Sequence, residues 1–250
     1  IRLFTKYQTA ILPINTYLLL HKNRNKHLTI EVKIMSNNKL QLRHGRVTDP
    51  QTRGLVATDL GLIAEWENNE MEGGKNFPDL TGGSFAPPYE MDSWSNPPPP
   101  DGLILSGGHR GNREVVNFTD KEMQHKLRSI GHPNDNFTWP TIVVNPGSDL
   151  DIYWAYTVAH VTRGYRWFIT KDDWNPAERI TRAQLEPAPF YEDIYPYVPY
   201  YSHNDKLVAK IEHKVHLPKG KKGHHVIILA WIVADSGNAF YQACDVDFGQ

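Results

Sequence analysis

The 250-residue chain lacks the features that would cross-link it, carry it through a membrane or attract a polyanion. It has one cysteine, Cys244, so an internal disulfide is excluded. No stretch approaches the roughly 18 consecutive apolar residues of a membrane-spanning helix. The formal net charge of −1 produces no general field for nucleic acid or an acidic membrane surface, and we expect neither as a partner.

The sequence also lacks the local signatures of common hydrolases. It contains no G-x-S-x-G, no H-E-x-x-H and no phosphate-binding P-loop. Twelve histidines are present, but the closely spaced pairs do not suit zinc. His213 and His216 would face opposite sides of a strand, and the adjacent His224 and His225 would diverge for the same reason. We expect these four to be surface or edge residues.

Proline and glycine, by contrast, are plentiful, with 18 residues of each. They interrupt residues 43–100 so often that long regular elements are excluded there. A loop region of this length in a compact domain is usually functional. One helix is indicated over residues 119–131, where Thr119 and Glu122 form a capping box and Gly131 ends the helix.

Strands dominate the remainder of the chain. Residues 150–158 alternate between apolar and more polar side chains, which is the period of a strand. The same reading applies to residues 164–170, 206–217, 224–235 and 238–248. Several strands separated by turns, with almost no intervening helices, predict an all-β fold built as an antiparallel β-sandwich.

The first 43 residues do not match the rest. Residues 9–20 form a short apolar run that Pro13 and Asn15 interrupt, and a basic segment follows the run instead of preceding it. A signal peptide has the opposite order. We interpret residues 1–43 as a leader, an extension or a translation artefact. The functional domain is expected to occupy residues 44–250.

Four separated stretches carry a resemblance to a known family. They are "HGRVTDPQTRG" at 44–54, "WENNEMEGGKNFPD" at 66–79, "YTVAHVTRGYRWFITKDDWNP" with "ITRAQLEPAPF" at 156–190, and "GHHVIILAWIVADSGNAFYQACDVDF" at 223–248. In this order they resemble the lytic polysaccharide monooxygenases of auxiliary activity family 10, the chitin-binding-protein and spindolin group. The resemblance implies an immunoglobulin- or fibronectin-III-like sandwich with a long loop and short-helix insertion.

The resemblance also implies a metal site. In the family the mature protein begins at a histidine, whose amine and ring bind copper together with a second imidazole. Carried over, His44 and His160 would hold one copper ion per chain, and Phe240 would be the axial aromatic residue. Nitrogen donors of this kind suit copper. The alternative for Phe240 is simple core packing, because it shares its parity with Cys244.

Further residues match family positions around the copper. Glu72 would position the oxidant, although it could equally be a solvated loop acid among neighbouring glutamates. Val158 stands where the family usually has alanine, which would alter oxygen access. The matched substrate contacts are Trp66, Glu67, Thr157, Asp235 and Asn238, of which Trp66 and Glu67 are expected to be exposed. Asp235 could instead be a turn residue.

The function implied by the resemblance is copper-dependent oxidative cleavage of a crystalline polysaccharide at C1 or C4. Chitin is favoured over cellulose, an external electron donor is required, and O2 or H2O2 is the co-substrate. A secreted monomer is expected. The main alternative is a non-catalytic or virulence-associated chitin-binding protein that uses Trp66 without a working copper site. The preceding 43 residues and Val158 favour that alternative. An unrelated sandwich adhesin is the third reading.

Overall fold

The computed structural model describes residues 16–22, 28–34, 44–85, 94–197 and 199–250. The chain divides into two compact units, Ile1–Gln41 and Leu42–Gln250. In the first unit, β1 (Thr16–Lys22) and β2 (Leu28–Ile34) pair as an antiparallel hairpin. The role of residues 1–43 stays a prediction. Among the described residues, none of the helices has the length and apolar character needed to cross a bilayer.

The second unit contains eleven described strands and three described α-helices. The strands are β3 (Gly45–Asp49), β4 (Glu72–Gly74), β5 (Gly83–Ser84), β6 (Trp94–Ser95), β7 (Thr141–Val143), β8 (Asp149–Tyr156), β9 (Thr162–Ile169), β10 (Tyr191–Ile194), β11 (Glu212–His216), β12 (His224–Val233) and β13 (Asn238–Asp247). The helices are α1 (Arg53–Asp59), α2 (Glu65–Asn69) and α3 (Asp120–Ser129). Short 3₁₀ helices cover Ile104–Ser106, Gly111–Asn117, Arg182–Gln184 and Tyr200–Ser202.

Two main sheets form a sandwich, which confirms the predicted all-β class. The larger sheet has the order β10-β9-β12-β13-β4, with β7 also paired to β13. The smaller sheet has the order β11-β8-β3. The described pairings in both sheets are antiparallel apart from that of β7 with β13, which is parallel.

One hydrophobic core lies between these two sheets. The smaller sheet contributes side chains such as Trp154 and Val215, and the larger sheet contributes Trp167, Leu229 and Trp231. Strands β8 and β11 alternate between buried and exposed residues, as their sequences predict. Their outer faces are therefore free to carry polar side chains.

A second core covers the opposite face of the larger sheet. There Met71, Leu105 and Met123 pack with Ile228 and Tyr241. Because both faces are covered, β12 and β13 are buried along almost their whole length. The alternation expected for these two strands is therefore wrong. A strand buried on both sides has a nearly continuous apolar sequence.

The insertion before β7 contains the expected helix and two shorter ones. In α3, the Thr119 hydroxyl accepts from the Glu122 amide at 3.3 Å, and the Glu122 carboxylate accepts from the Thr119 amide at 2.9 Å. This capping box confirms the prediction. Helices α1 and α2, with seven and five residues, were missed within residues 43–100 because such short elements show no apolar period. Long elements do not occur in the described part of that region.

Candidate metal centre

The backbone of His44 is fixed by the pairing of β3 with β8. Gly45 lies opposite Tyr156, and the contact continues one residue further. The His44 carbonyl accepts from the Thr157 amide at 2.9 Å and from its hydroxyl at 3.0 Å. The main-chain nitrogen of His44 lies 3.3 Å from the same hydroxyl oxygen. Thr157 therefore sits beside His44, while its predicted contact with substrate stays a prediction.

His160 lies between β8 and β9 and is oriented by Asp235. Its Nδ1 is 2.7 Å from the Asp235 carboxylate, which lies between β12 and β13. Burial opposes ionisation of Asp235, but the hydrogen bond and the charge of His160 hold the pKa of this carboxyl below its usual value. Since Nδ1 is engaged, Nε2 is the ring nitrogen left to bind a metal.

Phe240 brings the two histidines to one place. Its ring centroid lies 5.7 Å from that of His44 and 5.5 Å from that of His160. Phe240 is fully buried and stacks on Trp231 at 4.7 Å. Core packing of Phe240 is thus confirmed, and the same ring lies against both imidazoles, while its role as the axial residue stays a prediction. The donor set is two imidazoles and the main-chain nitrogen of His44.

Glu72 lies next to Phe240 across the β4–β13 pair. Its Oε1 accepts from the Asn238 side-chain amide at 2.8 Å, and the Asn238 oxygen accepts from the Asn96 side chain at 2.7 Å. Glu72 is therefore held in place and is not a freely solvated loop acid. Its role in positioning an oxidant stays a prediction. Val158 is partly buried two residues before His160, and its role is equally untested.

Comparison with known protein families identifies the family of this chain. The lytic polysaccharide mono-oxygenases, described as cellulose-degrading, match residues 44–246. The chain belongs to this family. GlcNAc-binding protein A of Shewanella oneidensis is 27% identical over 210 residues, which are 82% of this chain and 35% of the relative. The chain thus spans about a third of the length of that curated relative.

Solved structures of monooxygenase relatives share the fold. A chitin binding domain from Burkholderia pseudomallei has 34% sequence identity and a TM-score of 0.70, covering 83% of this chain and all of that one. An AA10 lytic polysaccharide monooxygenase from Streptomyces lividans has 30% identity and a TM-score of 0.59, covering 82% and 100%. These similarities confirm the immunoglobulin- and fibronectin-III-like β-sandwich.

Trp66 and Glu67, the two residues predicted to be exposed substrate contacts, differ in their exposure. Trp66 is exposed, with 57% of its surface accessible. Glu67 is only 8% exposed, and its carboxylate accepts from the Ala64 amide at 2.8 Å at the start of α2. The expectation that Glu67 is exposed is therefore wrong, while its role as a substrate contact stays a prediction. A carboxylate in the first turn of a helix is stabilised by the unpaired backbone amides there.

Glu70 and Arg113 are site residues that sequence reasoning missed. Glu70 Oε1 lies 3.5 Å from Nδ1 of His44, and its Oε2 lies 3.7 Å from the Arg113 guanidinium. Arg113 also donates to the Glu70 carbonyl at 2.9 Å and lies 6.0 Å from the Trp66 ring. A chain of contacts therefore links Trp66 to His44. The four neighbouring glutamates gave no signal to separate Glu70 from the others.

The four histidines of the two closely spaced pairs were expected to be surface or edge residues. His213 and His216 do face opposite sides of β11, as predicted. His225, on the internal strand β12, is buried, so the expectation of a surface or edge position is wrong for it. His213 is also buried but lies on the edge strand β11, as that expectation allows. His213 fits between the aromatic residues of the core, where an imidazole packs as a flat ring. Among the described residues, there is no cluster of three or more His, Cys, Asp or Glu side chains that could hold a metal ion.

Proposed function

We propose that residues 44–250 form a secreted, monomeric domain that cleaves crystalline chitin by copper-dependent oxidation at C1 or C4 of the β-1,4 linkage. The observation that carries the proposal is the position of His44 and His160 against one buried ring, Phe240. Family membership supports the reaction class. The names of the relatives, which refer to GlcNAc and chitin, favour chitin over cellulose.

The donor set fits copper. Imidazole and amine nitrogens rank among the donors that copper prefers. His160 would bind through Nε2, because Asp235 holds Nδ1 and fixes the plane of the ring. His44 would bind through its ring and its α-amine once the bond to Arg43 is cleaved. A free α-amine has a pKa near 8, so part of it is unprotonated at neutral pH. When bound, copper supplies the activation of O2 or H2O2, with electrons from an external reductant.

The chain's own residues have separate tasks in this proposal. Phe240 would keep water away from the bound ion on the side of its ring, because this ring is apolar and fully buried. Glu72, oriented by the Asn238 amide, offers a carboxylate oxygen that can hold a proton or accept a hydrogen bond beside the oxidant. Trp66 offers an exposed flat ring for the apolar face of a sugar.

A second candidate is a chitin-binding module without chemistry. The supporting observation is that the nitrogen of His44 is an amide in the sequence as printed, since Arg43 precedes it. An amide nitrogen is a poor metal donor compared with an amine. In this candidate the substrate surface is the same, while copper binds weakly through two imidazoles at most.

A matched pair of proteins tests the proposal. One begins at His44, and the other carries a single glycine before His44. We expect the first to retain one copper per chain after dialysis and to release oxidised oligosaccharides from chitin in the presence of a reductant. The second should adsorb to chitin but bind copper far more weakly and release no oxidised product.

Cellulose serves as the comparison substrate in the same assay. Adsorption by both proteins, with no product and no retained copper in either, would favour the binding module. Failure of both proteins to adsorb to either polysaccharide would contradict both candidates.

A further inference from the structure

Trp94 is an exposed tryptophan to which the proposed function assigns no role. Its side chain lies on the short strand β6, and 66% of its surface is accessible, more than for Trp66. Tryptophan is mostly buried in folded proteins because of its large apolar ring. A tryptophan held at the surface near a functional site offers a flat apolar ring that a ligand can stack on.

The backbone on either side of Trp94 is firmly anchored. Ser95 is buried, and its hydroxyl accepts from the Asn76 amide at 2.9 Å. The Asn96 amide donates to the Gly237 carbonyl at 2.9 Å, and the Pro97 carbonyl accepts from the Gly74 amide at 3.2 Å. Residues 94–97 are thus fixed to the end of β4 and to the loop between β12 and β13.

The same segment reaches the candidate metal centre. Asn96 donates through its side chain to the Asn238 oxygen at 2.7 Å, which leaves the Asn238 amide group to donate to Glu72 at 2.8 Å. Gly237 touches the segment so closely that an added Cβ would lie 3.0 Å from the Trp94 carbonyl oxygen. Trp94 is therefore two residues from the contacts that position Glu72.

Trp66 approaches the centre by different contacts. It reaches His44 through Arg113 and Glu70, and neither of these residues belongs to segment 94–97. The two exposed indoles thus lie on separate segments, each of which reaches the candidate metal centre through its own contacts. A single stacking contact would let the domain turn on a flat surface, whereas two contacts on a rigid body also fix its direction and strengthen each other.

We infer that Trp94 is a second stacking residue for a β-1,4-linked sugar surface, placed at the Glu72 side of the centre. The inference rests on the substrate class of the proposed function but does not depend on copper. Indole rings bring a large apolar area with only two side-chain torsions to order, so each exposed ring can contribute to adsorption at low entropic cost.

Adsorption isotherms of the full chain on crystalline chitin, in the presence of a metal chelator, test this inference. Trp94→Ala should raise the dissociation constant about five- to tenfold, the effect of losing about 1–1.4 kcal/mol of stacking. Trp94→Phe should retain most of the binding because the ring remains. Trp66→Ala should have a similar effect, and the double variant should adsorb close to background.

Tyr153→Ala is the matched control, because Tyr153 is an exposed aromatic residue on the outer face of β8. It should adsorb like the parent. Unfolding curves of all variants should coincide, since the changed side chains are exposed. If Trp94→Ala adsorbs like the parent while Trp66→Ala does not, Trp94 has no binding role and the proposed surface survives. If neither change matters, the proposed substrate surface itself is wrong.

Discussion

Two histidine–aspartate pairs lie at the two ends of the β12–β13 hairpin. At one end His160 Nδ1 is 2.7 Å from Asp235, and at the other His224 Nε2 is 2.8 Å from Asp245. By distance the two pairs are nearly equivalent. Their surroundings are not, and these surroundings separate a candidate metal site from a structural anchor.

At the His224–Asp245 end, called the anchor end below, both oxygens of the carboxylate accept hydrogen bonds. Arg53 donates to both oxygens of Asp245, at 2.7 and 2.9 Å, and the Asp245 side chain is only 1% exposed. Burial opposes ionisation, but the charge and hydrogen bonds of Arg53 keep the pKa of Asp245 below its usual value. Arg53 also donates to the carbonyls of Val116 and Phe118, so this pair ties the helical insertion to the sheet.

At the metal end, the Asp235 side chain is 24% exposed, and its partner ring lies against Phe240 beside His44. A histidine–aspartate pair by itself therefore does not identify a metal site. A second imidazole nearby, that of His44 against the same Phe240 ring, makes the difference.

The largest expected effect is at His160. Changing His160 to Ala removes one of three nitrogen donors, so copper affinity should fall by several orders of magnitude and oxidised products should disappear. Metal-free thermal unfolding should change little, because His160 lies in the loop between β8 and β9 and not within a strand of either sheet. Calorimetric copper titration and product analysis provide the measurement. Damage to the metal-free fold with copper binding retained by the folded fraction would instead make His160 a core histidine.

The next effect should appear at the anchor end. Arg53→Met leaves a buried carboxylate without its cation, which typically costs about 3–5 kcal/mol of unfolding free energy. Copper affinity of the folded fraction should stay unchanged. Combining it with Asp245→Asn should recover part of the loss, because both charges are then removed. Chemical denaturation measures all three proteins. A loss below about 1 kcal/mol would show that this pair does not anchor the insertion.

A third histidine provides a pH-dependent test. His213 lies 4.2 Å from the Tyr165 ring, and burial lowers its pKa to about 4, with Asp193 and Lys210 as the nearby charges. Unfolded histidine titrates near pH 6.5, so between these values only the unfolded chain binds the proton. The free energy of unfolding should therefore fall by about 3 kcal/mol as pH decreases from 6.5 to 4.

The control for this effect is His213→Leu, which removes the titrating group. The difference between parent and variant in denaturation midpoint should grow towards acid pH and then level off below about pH 4. A constant difference across this range would mean that His213 titrates alike in both states.

The smallest effect is expected at a third histidine–aspartate pair, His216 with Asp149. Their atoms are 3.0 Å apart, but both side chains are about half exposed. Water and salt screen such a contact, so His216→Ala should change the unfolding free energy by less than about 1 kcal/mol. Copper affinity should be unaffected. A large loss of either quantity would show that distance alone, and not the surroundings, decides what these pairs do.

Local sequence patterns predicted much of the fold. The alternation in β8 and β11 and the capping box of α3 depend on neighbouring residues, so they are visible in sequence. The burial of β12 on both faces is not, because the second covering layer comes from Met71, Leu105 and other residues far away in the chain.

Some residues of the candidate metal centre could likewise be predicted from the sequence, and others could not. His44 and His160 were found through ordered family motifs, not through their spacing. Glu67 and Glu70 look alike in sequence, and only the turn of α2 decides which one meets His44. Asn96 and Asn238 are 142 residues apart, and sequence periodicity gives no sign that they meet.

The close approach of Gly45 to Tyr156 restricts how His44 can be exposed. A Cβ on residue 45 would lie 2.6 Å from the Tyr156 ring. That ring cannot easily give way, since its hydroxyl donates to the Lys210 carbonyl at 2.8 Å and the ring lies 4.7 Å from Trp231. Under the proposed function, a protease that releases His44 must therefore accept histidine followed by glycine after the cut.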